Sequence, residues 1–404
     1  MAHKTLVNST AYEISGGKTL VEGTSYSVKN GKVLVGGTEY DISFLLPPAA
    51  LNLWNGTESS VNCILYADGY WVVGGTCYEG GTYRARIAYA TELDGTWTTK
   101  NIWNNAVKAC INCITYANGY WVVGGCSNNR SAGYASVGYA TSLNGTWTNI
   151  NLWGNSSHYN TINCITYADG YWVVGGVSYS ADCYYVYIAY TTSLDGTWTE
   201  KYLWLTYNSA TSINCITYAN GYWVVGGGYT DGGYIYAFIC YSTSPGATWT
   251  TKKLWNDTSD NSTINCITYA NGYWVVGGEG YPDGYHKARI AYATSLDGTW
   301  TIKDLWGNIF LGNYINCITY ADGYWVVGGR YYDNTYHYAR IAYSTSLSGT
   351  WTIVDLSDGL EHSINDITYG DGYIVAGGIY YYGGATYARI YYSPTLKGFG
   401  EITI

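Results

Sequence analysis

The side chains that could do chemistry in this chain are eleven cysteines, five histidines and 49 tyrosines, and their spacing decides which chemistry is open to them. Six cysteines, Cys63, Cys113, Cys164, Cys215, Cys266 and Cys317, recur about every 50 residues, and Asp366 stands at the seventh such place. A regular single cysteine reads as a small buried hydrophobe on an inner strand. Cys77, Cys110, Cys126, Cys183 and Cys240 share no common position. Cys110 and Cys113 are spaced like half of a zinc ligand set, but no second pair faces them, so no metal and no cofactor is expected. His3, His158, His286, His337 and His362 have no metal-site spacing, and neither GxSxG nor HExxH occurs. Arg86, Arg289, Arg340 and Arg389 recur at one strand position, which predicts a shared structural role in stacking or pairing.

These residues ride on an internal repeat. The segment INCITYADGYWVVGG and its variants starts at Val61, Ile111, Ile162, Ile213, Ile264, Ile315 and Ile364, with spacings of 50, 51, 51, 51, 51 and 49 residues. Each unit reads as four strands: INCITYA, GYWVVGG, a run such as ARIAYAT, and GTWTxKxLW. Asp68-Gly69, Asn118-Gly119 and their counterparts supply the tight turn between the first two. Those two strands are apolar on both faces and need cover on both sides. Seven such units predict an all-β fold, a seven-bladed β-propeller over residues 51–404, whose radial closure protects the sheet edges. The last unit runs out at GFGEITI, whereas Leu51 to Trp54 supplies an LW with no strand before it. The two ends are therefore expected to meet, Trp54 taking the place of Trp103, Trp153, Trp204, Trp255 and Trp306, beside Glu401 to Ile404.

Residues 1–43 carry a second array of period 14, KTLVNSTAYEISGG, KTLVEGTSYSVKNG and KVLVGGTEYDIS, and residues 44–50, FLLPPAA, read as a stiff linker. Units this short must stack on one another, on other chains or on a larger assembly. An anchoring or oligomerising role through residues 1–45, and a homo-oligomer, are the expectation.

Composition narrows the partners. Charged residues make up 12% of the chain and the formal net charge is −9, which leaves no basic stripe for a phosphate backbone, so nucleic acid is not expected. No apolar run of about 18 residues is present and the start MAHKTLVNST lacks a signal pattern. The expectation is a chain made in the cytoplasm that is not inserted in a membrane.

The turn TSLDGTWT resembles the Asp-box of BNR and sialidase-type propellers, Ser/Thr-x-Asp-x-Gly-x-Thr-Trp. Here the Asp directly precedes the Gly and only Asp94, Asp195 and Asp297 keep it; Asn144, Ser348 and Lys397 replace it elsewhere, and TSPGATW at 243–249 lacks it. The resemblance implies fold, the box being a structural turn away from the active face, and not catalysis. A sialidase would need an arginine cluster, a Tyr nucleophile with a Glu partner and an acidic proton donor, a set the sequence does not single out. A non-enzymatic function follows.

Comparing the copies with one another gives a stronger signal. The turn inside YADGYW and the Asp-box-like turn barely change. The connection after the second strand, from TCYEGGTYR to IYYYGGATY, and the one before the first strand, from NGTESS to SDGLEHS, differ in every copy. In an antiparallel four-stranded blade these two connections leave on the same face. They are rich in Tyr, Ser, Gly, Asn and Asp, the composition of binding loops. Tyr179, Tyr229, Tyr281, Tyr331 and Tyr332 are the candidate binding residues.

A short β-repeat module followed by a low-charge propeller of YxNGYWVVGG and IAYSTSLDGTWT units resembles virion proteins of tailed bacteriophages, of the tail-fibre, receptor-binding or head-decoration type. That resemblance implies a virion or extracellular location, an N-terminus attached to a particle, and a loop face that meets a host-surface glycan or protein. The alternatives are a coat, decoration or filament subunit joined through the 14-residue repeats, and a glycosidase-like enzyme.

Overall fold

The computed structural model describes residues 3–7, 10–15, 18–21, 24–27, 32–35, 38–41, 49–55, 58–103, 108–128, 132–155, 160–180, 183–206, 211–231, 234–255, 262–309, 312–357 and 362–394. The linker at 44–48, several tips of the variable connections, Lys397 and the end at 401–404 lie outside them. Among the described residues there are 34 strands and no helix. The chain divides into two compact units, residues 50–392 and the remainder.

In the smaller unit each 14-residue copy is one antiparallel hairpin: His3–Val7 with Thr10–Ser15, Lys18–Val21 with Thr24–Ser27, and Lys32–Val35 with Thr38–Asp41. The first two hairpins join into a four-stranded sheet and the third stands as a two-stranded one.

The 28 strands from Ala49 to Ser393 form five four-stranded sheets and one eight-stranded sheet, the latter joining repeats 1 and 2 through a single parallel pair, Tyr83 with Lys108. The first strands of the repeats, Ser60–Ala67, Lys108–Ala117, Thr161–Ala168, Ser212–Ala219, Thr263–Ala270, Tyr314–Ala321 and Ser363–Gly370, pack one against the next and the last against the first. Sheets radiating from a closed ring of inner strands make a β-propeller.

The local sequence explains each feature. Asp68 at φ 50° and Gly69 at φ 75° adopt the left-handed pair that a two-residue hairpin requires, and all seven repeats do the same. The second strand is buried along most of its length, and its Trp is the largest fully buried side chain in six repeats: Trp71, Trp121, Trp172, Trp223, Trp274 and Trp325. The paired glycines after it answer to crowding. A Cβ on Gly75 would lie 2.0 Å from the Ser60 carbonyl oxygen, and one on Gly74 would meet Ile111 Cγ2 of the next repeat at 2.7 Å.

At the seam Leu51 to Trp54 joins the last sheet as expected, while its expected neighbours Glu401 to Ile404 lie outside the described residues. The last sheet runs in the order Ser363–Gly370, Tyr373–Tyr382, Ala385–Ser393, then Ala49–Asn55. Among the described residues, Ala49–Asn55 thus pairs with the third strand of the last sheet, in the fourth place. AALNLWN supplies seven strand residues, the sixth of which is the Trp that docks. Trp54 is buried, and its Nε1 donates to Thr76 O at 2.9 Å, as Trp153, Trp255 and Trp306 donate to Val177 O, Glu279 O and Arg330 O of the following repeats.

Candidate functional site

Two polar regions lie around the axis, one regular and one irregular. The regular one is built by the Asn of the INC segment. In every inner strand the register slips at this Asn, so it sits on a β-bulge. The bulge turns its amide toward the neighbouring repeat. Asn62, Asn112, Asn163, Asn214, Asn265 and Asn316 Nδ2 donate to Ile111, Ile162, Ile213, Ile264, Ile315 and Ile364 O at 2.8–2.9 Å, and Asn365 returns to Val61 O at 2.7 Å. These residues, with the cysteines and isoleucines beside them, line an axial cavity of about 350 Å³.

The six ring cysteines are buried, and five donate Sγ–H to the first glycine of their own second strand, for example Cys63 to Gly74 O at 3.6 Å. Burial pushes their thiols up, as expected of structural cysteines. Asp366 replaces the seventh. Its Oδ2 accepts from Ile64 N and its Oδ1 from Ile367 N, both at 2.8 Å, yet burial outweighs these bonds and pushes its carboxyl up to about 7. Among the described residues no three His, Cys, Asp or Glu converge as a metal set.

The irregular region lies where the variable connections meet. A cavity of about 560 Å³ is lined from repeats 1, 2, 6 and 7, both by residues at or just before the start of the first strand, Glu58, Lys108 and His362, and by residues of the second-to-third hairpins, Tyr83 and Arg330 among them. The two variable connections therefore share one side. They are also latched together: Asn160 Oδ1 accepts from Tyr179 N at 3.1 Å, Thr211 Oγ1 from Thr230 N at 3.1 Å, and Asn313 Oδ1 from Tyr332 N at 3.0 Å.

Within the cavity the Tyr83 hydroxyl donates to the Glu58 carboxylate, and Lys108 Nζ lies 5.8 Å from the centre of the Tyr83 ring. Arg330 Nη1 donates to Tyr314 OH at 3.4 Å, and its Nε donates to His337 Nδ1 at 2.7 Å. Burial, then the Arg330 charge, lower His337 to about 4, so its ring is neutral near pH 7. The Thr386 hydroxyl is buried behind this wall with no hydrogen-bond partner among the described residues.

None of the five candidate tyrosines lines the cavity: Tyr331 and Tyr332 share the hairpin of Arg330 in repeat 6, whereas Tyr179, Tyr229 and Tyr281 lie on the corresponding hairpins of repeats 3, 4 and 5, which contribute no described residue to its wall. Tyr179, Tyr229, Tyr331 and Tyr332 belong to second strands, and Tyr281 follows one. Each is half-buried against a neighbour: Tyr179 on Tyr184 at 4.6 Å, Tyr281 on His286 at 4.8 Å, Tyr331 on Tyr338 at 5.8 Å and Tyr332 on His337 at 4.4 Å between ring centres. Lys253 Nζ lies 5.9 Å from the Tyr229 ring centre, and the Arg340 guanidinium 3.6 Å from that of Tyr331. Their preference for Tyr thus has a cross-strand packing reason as well as an exposed edge.

The recurrent arginines pair within their sheet: Arg86 Nε to Asn101 Oδ1, Arg289 to Asp304, Arg340 to Asp355 and Arg389 to Asn52, at 2.6–2.8 Å. Arg289 and Arg340 also lie over Trp255 and Trp306 of the preceding repeat, at 5.8 and 5.9 Å. They form no cluster for a carboxylate. At the opposite side Asp94, Asp195 and Asp297 are exposed. The turn there is held by its buried Leu and by its Trp, as where Trp97 Nε1 donates to Leu93 O at 3.2 Å.

No family model matches the chain, and no curated protein matches it. Among solved structures it is similar to the computationally designed Ika8 protein, at 15% identity over 84% of this chain and 98% of that one, TM-score 0.41. It is also similar to the phage phi92 endosialidase, at 12% identity over 86% of this chain and 69% of that one, TM-score 0.48. A third is Trypanosoma rangeli sialidase in complex with sialic acid, at 13% identity over 86% of this chain, TM-score 0.44, where the chain spans 59% of the sialidase.

Proposed function

We propose that residues 51–394 form a seven-bladed β-propeller that binds, without transforming it, a glycan or protein on a host-cell surface. In this reading the chain is carried on a virion or another extracellular surface, and its N-terminal hairpins attach it to the particle or to copies of itself. One observation carries the proposal: the 560 Å³ cavity sits on the side where the repeats differ, and its walls are equivalent positions filled by different side chains. A scaffold that merely covered a surface would have no use for such divergence around one cavity. The candidate tyrosines, on the second-to-third hairpins of repeats 3 to 6, add rigid, amphipathic contact area on the same side.

Attachment of purified full-length protein to host cells tests it. Replacing Tyr179, Tyr229, Tyr281, Tyr331 and Tyr332 together by Ala is expected to lower attachment at least tenfold, because aromatic anchors carry a large share of interface energy. Replacing Asp94, Asp195 and Asp297 by Asn on the opposite side is expected to leave it intact. Full attachment by the tyrosine variant, or its loss in the folded aspartate variant, overturns the reading. Filaments that form at high concentration and vanish on removing residues 1–45 would favour the coat or filament alternative.

The Tyr83–Glu58 contact favours a second reading, glycoside cleavage with a Tyr nucleophile, whose mark would be turnover of glycosides lost in Tyr83→Phe. Arg330 is already engaged by Tyr314 and His337, which weighs against it.

A further inference from the structure

Repeat 2 sets two thiols directly opposite each other, Cys110 on Lys108–Ala117 and Cys126 on Tyr120–Asn128. The same cross-strand pair elsewhere is Ser60 with Thr76, Thr161 with Val177, Ser212 with Gly228, Thr263 with Glu279, Tyr314 with Arg330 and Ser363 with Ile379. The fold therefore does not require cysteine at either place, in contrast to the ring cysteines, yet both places change together. Cα atoms of directly opposite residues lie about 4.5–5.5 Å apart. A disulfide spans about 4.4–6.8 Å.

Both thiols line the 560 Å³ cavity. Cys110 is half-buried, and Lys108, two residues away on the same strand face, lines the cavity too. The neighbouring Cys126 thiol, helped by the Lys108 charge, lowers Cys110 from its ordinary value, while the neighbouring Cys110 and burial raise Cys126. Cys110 is also the more exposed of the two and Cys126 is buried, as suits an attacking and a resolving thiol.

We propose that Cys110 and Cys126 are a redox-active dithiol that closes to a disulfide in the cavity wall on meeting a low-molecular-weight disulfide such as oxidised glutathione. The Cys110 thiolate attacks one glutathione sulfur, breaking the S–S bond and releasing the first glutathione thiolate. Cys126 then gives up its proton to solvent, and its thiolate attacks Cys110 Sγ in the mixed disulfide, releasing the second. Two protein thiols are oxidised by two electrons and one glutathione disulfide is reduced to two thiols. The new bond ties the first and second strands of repeat 2 beside the cavity, so passage from a reducing interior to an oxidising exterior fixes that wall.

The test uses the full-length chain, reduced, freed of reductant and incubated without air with oxidised glutathione. Counting alkylatable thiols after denaturation is expected to give nine in place of eleven. Chymotryptic cleavage after Tyr116, Tyr120 or Trp121 is expected to leave a Cys126 peptide linked to the one holding Cys110 and Cys113. Fragmentation should place the bond at Cys110. Cys113→Ser should keep that bond, and Cys126→Ser should trap a glutathione adduct on Cys110. Eleven thiols remaining in the wild-type chain, or a bond between any other pair, overturns the proposal without recourse to the variants.

Discussion

Six of the junctions between neighbouring repeats join consecutive stretches of chain, while the seventh joins residues about 300 apart, and the contacts hardly differ. At a consecutive junction Asn62 Nδ2 reaches Ile111 O at 2.9 Å; at the closing one Asn365 Nδ2 reaches Val61 O at 2.7 Å. Fourth-strand Trp indoles donate across both kinds, and Val61 packs on Gly377 as Ile111 packs on Gly74. A junction is thus defined by its side chains and not by chain continuity. Two substitutions mark the closing one. Gly370 stands where the other repeats have Ala, because a Cβ there would meet the Tyr66 side chain at 2.4–2.6 Å, and Asp366 stands where they have Cys.

The largest expected effect breaks this equivalence outright. Deleting residues 1–54 removes nearly all of the strand that completes the last sheet, with Trp54 and the Arg389 partner Asn52. The loss should exceed the roughly 3–5 kcal/mol carried by one buried Trp. A melting temperature many degrees below that of a chain lacking only residues 1–48 is expected by circular dichroism. Coincident melting curves for the two deletions would mean that closure does not depend on this strand.

The second effect belongs to the closing junction alone. The Asp366 carboxyl titrates near 7 in the fold and near about 3.9 when unfolded. Between those values the folded state binds the extra proton, so stability is highest at the acid end of the window and falls as pH rises through 7. The fall is worth roughly 4 kcal/mol at full ionisation. Urea midpoints measured from pH 4.5 to 8 should show it, and Asp366→Cys, which restores the residue of the other six repeats, should flatten this part of the profile. An equally steep profile in Asp366→Cys would assign the dependence to other groups.

Much of this was legible in the sequence, because strands and turns follow from short-range rules. The Asp-Gly and Asn-Gly pairs, the doubly apolar second strand and the unmatched LW at Trp54 each pointed to what the structure contains. The inner Asn was visible and passed over. It is a polar residue kept in all seven copies of an apolar strand, a stronger signal than the cysteine beside it, which fails once. What it does depends on the bulge, and a bulge is set by the pairing of two strands rather than by either alone. The cavity was illegible for a similar reason: Glu58, Tyr83, Lys108 and Arg330 come from four different connections and meet only after the ring has closed. The candidate tyrosines were found by composition, which reports a face but not which rings pack on neighbours.

The smallest expected effect is the sharpest test of the equivalence, because it compares two matched residues. Asn62 accepts from Ser60 Oγ at 2.8 Å and donates to Ile111 O; Asn365 accepts from Ser363 Oγ at 2.9 Å and donates to Val61 O. Both are half-buried on a bulge of an inner strand. Substituting Ala removes one donor from a carbonyl and one acceptor from a hydroxyl in each case, at a cost of about 1–2 kcal/mol. If side chains alone define a junction, Asn62→Ala and Asn365→Ala should lower stability by amounts within about 0.5 kcal/mol of each other, the usual scatter for independent sites. Chemical denaturation at pH 5 keeps Asp366 protonated in both variants and removes its contribution from the difference. A clearly larger loss for Asn365→Ala would mean that the closing junction leans on its asparagine because no covalent link backs it up. No loss for either would demote the asparagine ring from a fastening to a lining of the axial cavity.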